Sequence, residues 1–147
     1  MLGSLSCGKA ALILFGNTLA GKFYMTLVMR VGKVMLTVMP GPADLGFTAT
    51  TEKAKKMEEI NKAKAFEAVS KAQLNEAEYS GPLIAVCLFL EAKGVESPIG
   101  CGLVVFGAIA HLWAQILFKT RAAQPLGALP RYAGMACLLY SLYGVVM

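Results

Sequence analysis

The sequence predicts an all-α integral membrane protein: four helices bundled into a single domain over residues 1–147. Three observations carry this expectation. Of the 147 residues, 56% are hydrophobic and 16% are charged, with a mean hydropathy of +0.59; soluble domains carry about 25% charged residues. The apolar residues gather in runs near the length of about 20 residues that a helix needs to cross a bilayer. The basic residues cluster on one side of those runs, as topology signals do.

The first run covers 10–29 and is interrupted only by Asn17 and Lys22. No clear cleavage site follows it, so it is expected to be a retained span. The next segment, 30–67, forms a long loop. It opens with a turn-rich PGPADLG stretch at 40–46 and continues as an Ala-, Glu- and Lys-rich tract that favours a solvated helix. The second apolar run, 79–90, is too short to span alone, and the EAKGVESP stretch after it breaks the helix. The span therefore extends toward the N-terminus, over about 68–90, and takes Lys71, Asn75 and Glu78 into the membrane. The third and fourth spans cover 99–118, with His111 and Gln115, and 126–147, with Arg131. Their short link makes them antiparallel neighbours.

Four crossings put both termini and the 91–98 turn on one face. Lys9 and Lys93 lie there, against Arg30, Lys33, Lys53, Lys55, Lys56, Lys62, Lys64, Lys71, Lys119, Arg121 and Arg131 on the other. The positive-inside rule places the long loop in the cytoplasm or its organellar equivalent. The net charge of +5 is thus read as topology and not as a nucleic-acid surface, because no aromatic residues interleave with the lysines. Cys7, Cys87, Cys101 and Cys137 have neither zinc nor thioredoxin spacing, and no metal site is expected.

Ionisable groups inside a bilayer are costly and mark sites by default. Glu78, His111 and Lys22 each lie about 18 Å from the same membrane face, taking a rise of about 1.5 Å per residue. Lys71, Asn75 and Glu78 share one helix face at i, i+4, i+7 spacing. Pro82 leaves the carbonyl of Glu78 without its helical donor. Each feature also has a plainer reading. Lys22 can snorkel, His111 can be a hydrogen-bonded packing residue, Arg131 a topology anchor, and the Lys71–Asn75–Glu78 face an interhelical network.

The stretch EAVSKAQLNEAEYSGP at 67–82 resembles the signature of the MAPEG family, the membrane-associated proteins in eicosanoid and glutathione metabolism. That signature runs roughly E-x-V-x-R-A-H/Q-x-N-x-x-E-N/Y with a following proline. It is matched by Glu67, Val69, Ala72, Gln73, Asn75, Glu78, Tyr79 and Pro82, with Lys71 in place of arginine. Pro42-Ala43-Asp44 resembles the N-P-E-D turn of the microsomal glutathione transferase branch, and Gln124-Pro125 resembles its Q-P.

The resemblance implies a homotrimer in the endoplasmic reticulum or an organellar membrane. It also implies glutathione as co-substrate and an apolar small-molecule substrate delivered from membrane lipid. Lys71, Gln73, Asn75, Glu78 and Tyr79 would hold glutathione, with Lys33 as the basic residue after the first helix. The family's catalytic arginine at the start of the fourth helix aligns with Gly127. Its third-helix arginine aligns with His111, and a third-helix tyrosine aligns with Phe118. Arg131, one turn after Gly127, is the first candidate for activating the thiol, and His111 the second. The expected function is that of a microsomal glutathione transferase or peroxidase. The alternative is a non-catalytic MAPEG-like subunit, structural or regulatory, of a larger membrane complex.

Overall fold

A computed structural model of the chain describes residues 5–29, 52–118 and 124–147, with side chains left aside at 28–29, 52–66 and 68. Among these residues all regular secondary structure is helical. Helix α1 (Cys7–Phe23) runs on into a π-helical segment, Tyr24–Met29. Helices α2 (Glu52–Ala92), α3 (Pro98–Phe118) and α4 (Gln124–Val146) follow.

Helix α1 begins three residues ahead of the apolar run because Ser6 caps it. Ser6 is extended (ψ 156°), and its side chain accepts from the Lys9 N–H. The Glu91 carboxylate accepts a second free donor, the N–H of Gly8, at 2.8 Å. The first helix thus has its N-terminus closed by the end of the second.

Helix α2 is one continuous rod of 41 residues. The solvated segment and the apolar segment are parts of the same helix, so the loop before it is shorter than 30–67. The helix ends in a Schellman turn: Val95 N–H reaches Leu90 O at 2.9 Å and Gly94 N–H reaches Glu91 O at 3.0 Å. Gly94 has φ 67°, which explains the glycine there. Helix α3 starts with Pro98 at its first position, where a missing N–H costs nothing.

By length and apolar composition, Cys7–Leu27 and Pro98–Phe118 are each able to cross a membrane. Helices α2 and α4 are more polar. The first carries Lys71, Asn75, Glu76 and Glu78, and the second interrupts its leucines with Gly, Pro, Ser and Arg131.

The helices pack with apolar residues outward as well as inward. Leu14, Cys87, Leu90, Cys101, Val104 and Leu138 are buried in the main core. A second cluster joins Met25, Val69, Ala72, Leu112 and Ile116. Yet Leu12, Phe23, Ile99, Leu117 (73%) and Tyr140 (81%) are exposed, while Asn17, Glu76, His111, Gln115 and Arg131 are buried.

Glycines set the closest contact, between α3 and α4. A Cβ on Gly107 would stand 2.5 Å from the Arg131 nitrogen, and one on Gly134 would stand 2.6 Å from the Val104 nitrogen. A Cβ on Gly127 would run into the backbone of His111. The two antiparallel helices therefore touch backbone to backbone, as small residues permit. Gly127→Ala is expected to destabilise the protein by about 1–3 kcal/mol, since overpacking forces the helices apart. Gly16→Ala, where a Cβ meets nothing within 4 Å, should be neutral or better. Thermal unfolding of the two variants in detergent checks the contrast.

Candidate ligand groove and the buried ion pair beside it

Two polar systems lie side by side on adjoining faces of α2, with Ala72 at their shared edge. The inward face reads Val69, Ala72, Glu76, Ser80, Leu83, Cys87 and Leu90, all buried at three- and four-residue spacing. Glu76 is only 1% exposed and Arg131 only 2%, and their side chains form an ion pair. The same carboxylate accepts from Asn17 Nδ2 and from Ser80 Oγ, each at 2.9 Å. Asn17 Oδ1 in turn accepts from Trp113 Nε1 at 2.9 Å. Every helix contributes: Asn17 from α1, Glu76 and Ser80 from α2, Trp113 from α3 and Arg131 from α4.

The Arg131 guanidinium also lies over the Tyr79 ring, 5.5 Å from its centroid, a favourable cation–π placement. Tyr79 meets Tyr132 edge to face, with hydroxyls 3.4 Å apart.

The other face of α2 borders a groove of about 330 Å³ lined by Lys71, Ala72, Leu74, Asn75, Glu78, His111, Gln115 and Gln124. Lys71 is exposed and pairs with Glu67 at 2.7 Å. Among the described residues, Asn75 and Glu78 have no side-chain hydrogen bond. His111 is 2% exposed, with Nε2 3.0 Å from Gln115 Nε2. An amide nitrogen carries only protons to give, so His111 Nε2 accepts and the ring proton sits on Nδ1. Nδ1 is buried and faces the backbone of Gln124 at the start of α4.

The structure thus brings together Lys71, Asn75, Glu78 and His111, four of the residues singled out in the sequence. It separates the others from them. Arg131 is bound to Glu76 and does not line the groove. Tyr79 lies under that guanidinium, and Gln73 is half-buried away from the groove. Lys22 is exposed, as its snorkelling reading requires. Lys33 and the 40–46 turn fall outside the described residues. An arginine at position 127 is excluded by the contact of Gly127 with α3.

Glu76 was the functional residue hidden in the sequence. Its signal was its place on the apolar stripe of α2, at i+4 to Ala72 and i−4 to Ser80. Gln115 and Gln124 are further groove residues that sequence reasoning did not assign.

No protein-family model, curated protein or solved structure matches this chain.

Removing Glu76 would leave Arg131 as a buried, unpaired charge, which costs about 3–5 kcal/mol. Glu76→Ala is therefore expected to unfold or strongly destabilise the protein, whereas exposed Glu78→Ala should leave stability nearly unchanged. Pairing Glu76→Leu with Arg131→Leu should recover much of the loss. Denaturant titration of the single and double variants checks the coupling.

Proposed function

We propose that this chain is a four-span membrane protein of MAPEG type that binds glutathione in the α2–α3 groove. There it would conjugate or reduce apolar electrophiles that arrive from the lipid. One observation carries the reading: Asn75 and Glu78 lack partners among the described residues and share a groove with Lys71 and His111. Glutathione is a zwitterionic tripeptide. Lys71 suits one of its carboxylates, Glu78 its ammonium, and Asn75, Gln115 and Gln124 its amide groups.

The inverted surface supports the membrane setting. An exposed coat of Leu, Ile, Phe and Tyr around a core that holds a buried ion pair would aggregate in water and is at ease in hydrocarbon. On this reading both termini lie opposite the long, lysine-rich segment. Cysteine labelling at positions 56 and 95 of a cysteine-free variant should then report opposite faces, and labelling of both from one side would refute the topology. The groove is open on its outer side, which suits completion by a neighbouring protomer in a homotrimer.

Transfer chemistry needs the glutathione thiol to lose its proton as sulfur attacks the electrophilic carbon or oxygen. Arg131 is committed to Glu76, so His111 becomes the first choice for the activating group. Its imidazole would have to turn toward the groove to give the sulfur a hydrogen bond, and a bond to a charged partner stabilises by about 1.5–3 kcal/mol. That corresponds to a thiol pKa lowered by roughly one to two units, less than a buried guanidinium would give.

The same observation favours a second reading: a glutathione-binding protein without turnover, serving as a subunit of a membrane complex. The two readings separate in one titration. Glu78→Gln should weaken glutathione binding by about 1.5–3 kcal/mol, or about 10- to 150-fold in Kd, measured by calorimetry in detergent. On the enzymatic reading, wild-type protein with glutathione shows thiolate absorbance at neutral pH, and His111→Ala loses it while retaining affinity. Binding with no thiolate signal in the wild type selects the non-catalytic reading. No binding at all defeats both.

A further inference from the structure

Three of the four cysteines converge at the far end of the helices from the groove. Cys7 opens α1, Cys87 lies toward the end of α2, and Cys101 lies in the first turn of α3. All three are free thiols and none is more than 1% exposed. The Cys101 and Cys7 sulfurs are 3.3 Å apart. Cys87 is buried in the same core cluster. The rest of the surrounding core is Ala, Leu and Val. The set is not arranged to hold a metal ion.

We infer that Cys7 and Cys101 form a dithiol–disulfide couple that, when oxidised, fastens the start of α1 to the start of α3. A disulfide bond is about 2.05 Å long, so the two sulfurs need to approach by only about 1.2 Å.

Buried thiols are ordinarily inert because oxidants do not reach them. Cys7 differs from its two neighbours in position. It is the first residue of its helix, covered by the half-buried Leu5 and Ser6. Its turn is held by the Ser6 cap, the Glu91 carboxylate and a weak thiol contact to Val95 O at 3.6 Å. Helix ends fray at low free-energy cost, and opening the first turn of α1 exposes Cys7 while Cys101 stays in place.

A hydroperoxide is the matching oxidant. The Cys7 thiolate attacks the terminal peroxide oxygen, the O–O bond breaks and an alcohol departs, leaving a sulfenic acid. As the turn closes again, the Cys101 sulfur attacks the Cys7 sulfur and expels water. Two thiols and one hydroperoxide become one disulfide, one alcohol and one water. Cys101 lies ten residues before His111 on α3, about 15 Å along the axis. The couple therefore acts on the bundle end and leaves the groove untouched, and its geometry stands whether or not the groove binds glutathione.

The test uses full-length protein in detergent micelles treated with hydrogen peroxide. The protein is then denatured with N-ethylmaleimide, digested and mapped by mass spectrometry. The expected product is a Cys7–Cys101 cross-linked peptide, lighter by two hydrogens, with Cys87 and Cys137 alkylated. The oxidised protein should melt several degrees higher, and dithiothreitol should reverse the shift. Cys101→Ala should abolish both link and shift, and Cys137→Ser should abolish neither. The wild-type map decides the matter even if the Cys101 variant fails to fold. Full alkylation of Cys7 after oxidation, or a link to Cys87 or Cys137 in its place, overturns the assignment.

Discussion

A single carboxylate, Glu76, reaches all four helices. It holds Arg131 of α4 and Asn17 of α1 directly, and Trp113 of α3 through Asn17. Such a centre matters most where the surroundings are apolar. On the proposed membrane reading, association of the helices rests on packing and interhelical hydrogen bonds, since lipid tails are as oily as leucine. An ion pair buried among apolar side chains gains little over a leucine pair in net stability, but breaking it is costly. Its effect is to fix register: any slip of α1 or α4 along α2 strands a charge or an amide. The same constraint decides what Arg131 can do. A guanidinium neutralised by Glu76 and covered by the Tyr79 ring is a poor source of positive potential for a ligand elsewhere.

The second organising contact is the glycine seam between α3 and α4. Gly107, Gly127 and Gly134 let the backbones meet at intervals that match along the antiparallel pair. At one end Gly127 lies against the backbone of His111, which anchors that residue at the groove wall. At the other end Gly134 lies against Val104, near the cysteine cluster. The close approach that leaves no room for a side chain at position 127 is therefore the approach that positions His111.

The groove and the ion pair divide α2 into two faces with different roles. The inward stripe is saturated: Glu76 and Ser80 have their partners inside the protomer. On the outward face, Asn75 and Glu78 have none among the described residues, and Lys71 pairs with its helical neighbour Glu67. A saturated polar group stabilises a fold. An unsatisfied one that converges with others on a cavity is available to bind. This difference in satisfaction, more than the residue types, separates structural polar groups from candidate ligand contacts here.

Much of this was legible in the residues alone. Apolar runs and their breaks fixed helix number and order, because periodicity and turn chemistry are local properties. The EAKGVESP break became a Schellman turn at Gly94. The i, i+4, i+7 spacing of Lys71, Asn75 and Glu78 placed them on one face, and the structure gives that face a groove. Other features depended on residues far apart in the chain. Glu76 and Arg131 are separated by 55 positions, and nothing local to either says that they meet. A carboxylate on an apolar stripe looks like a stray charge until a helix arriving much later supplies its cation. Gly127 looked like a missing arginine until α3 was seen to occupy the space. Composition and period determined what kind of chain this is. Which charges would be spent on holding it together, and which left free to bind, was decided only when the four helices were set against one another.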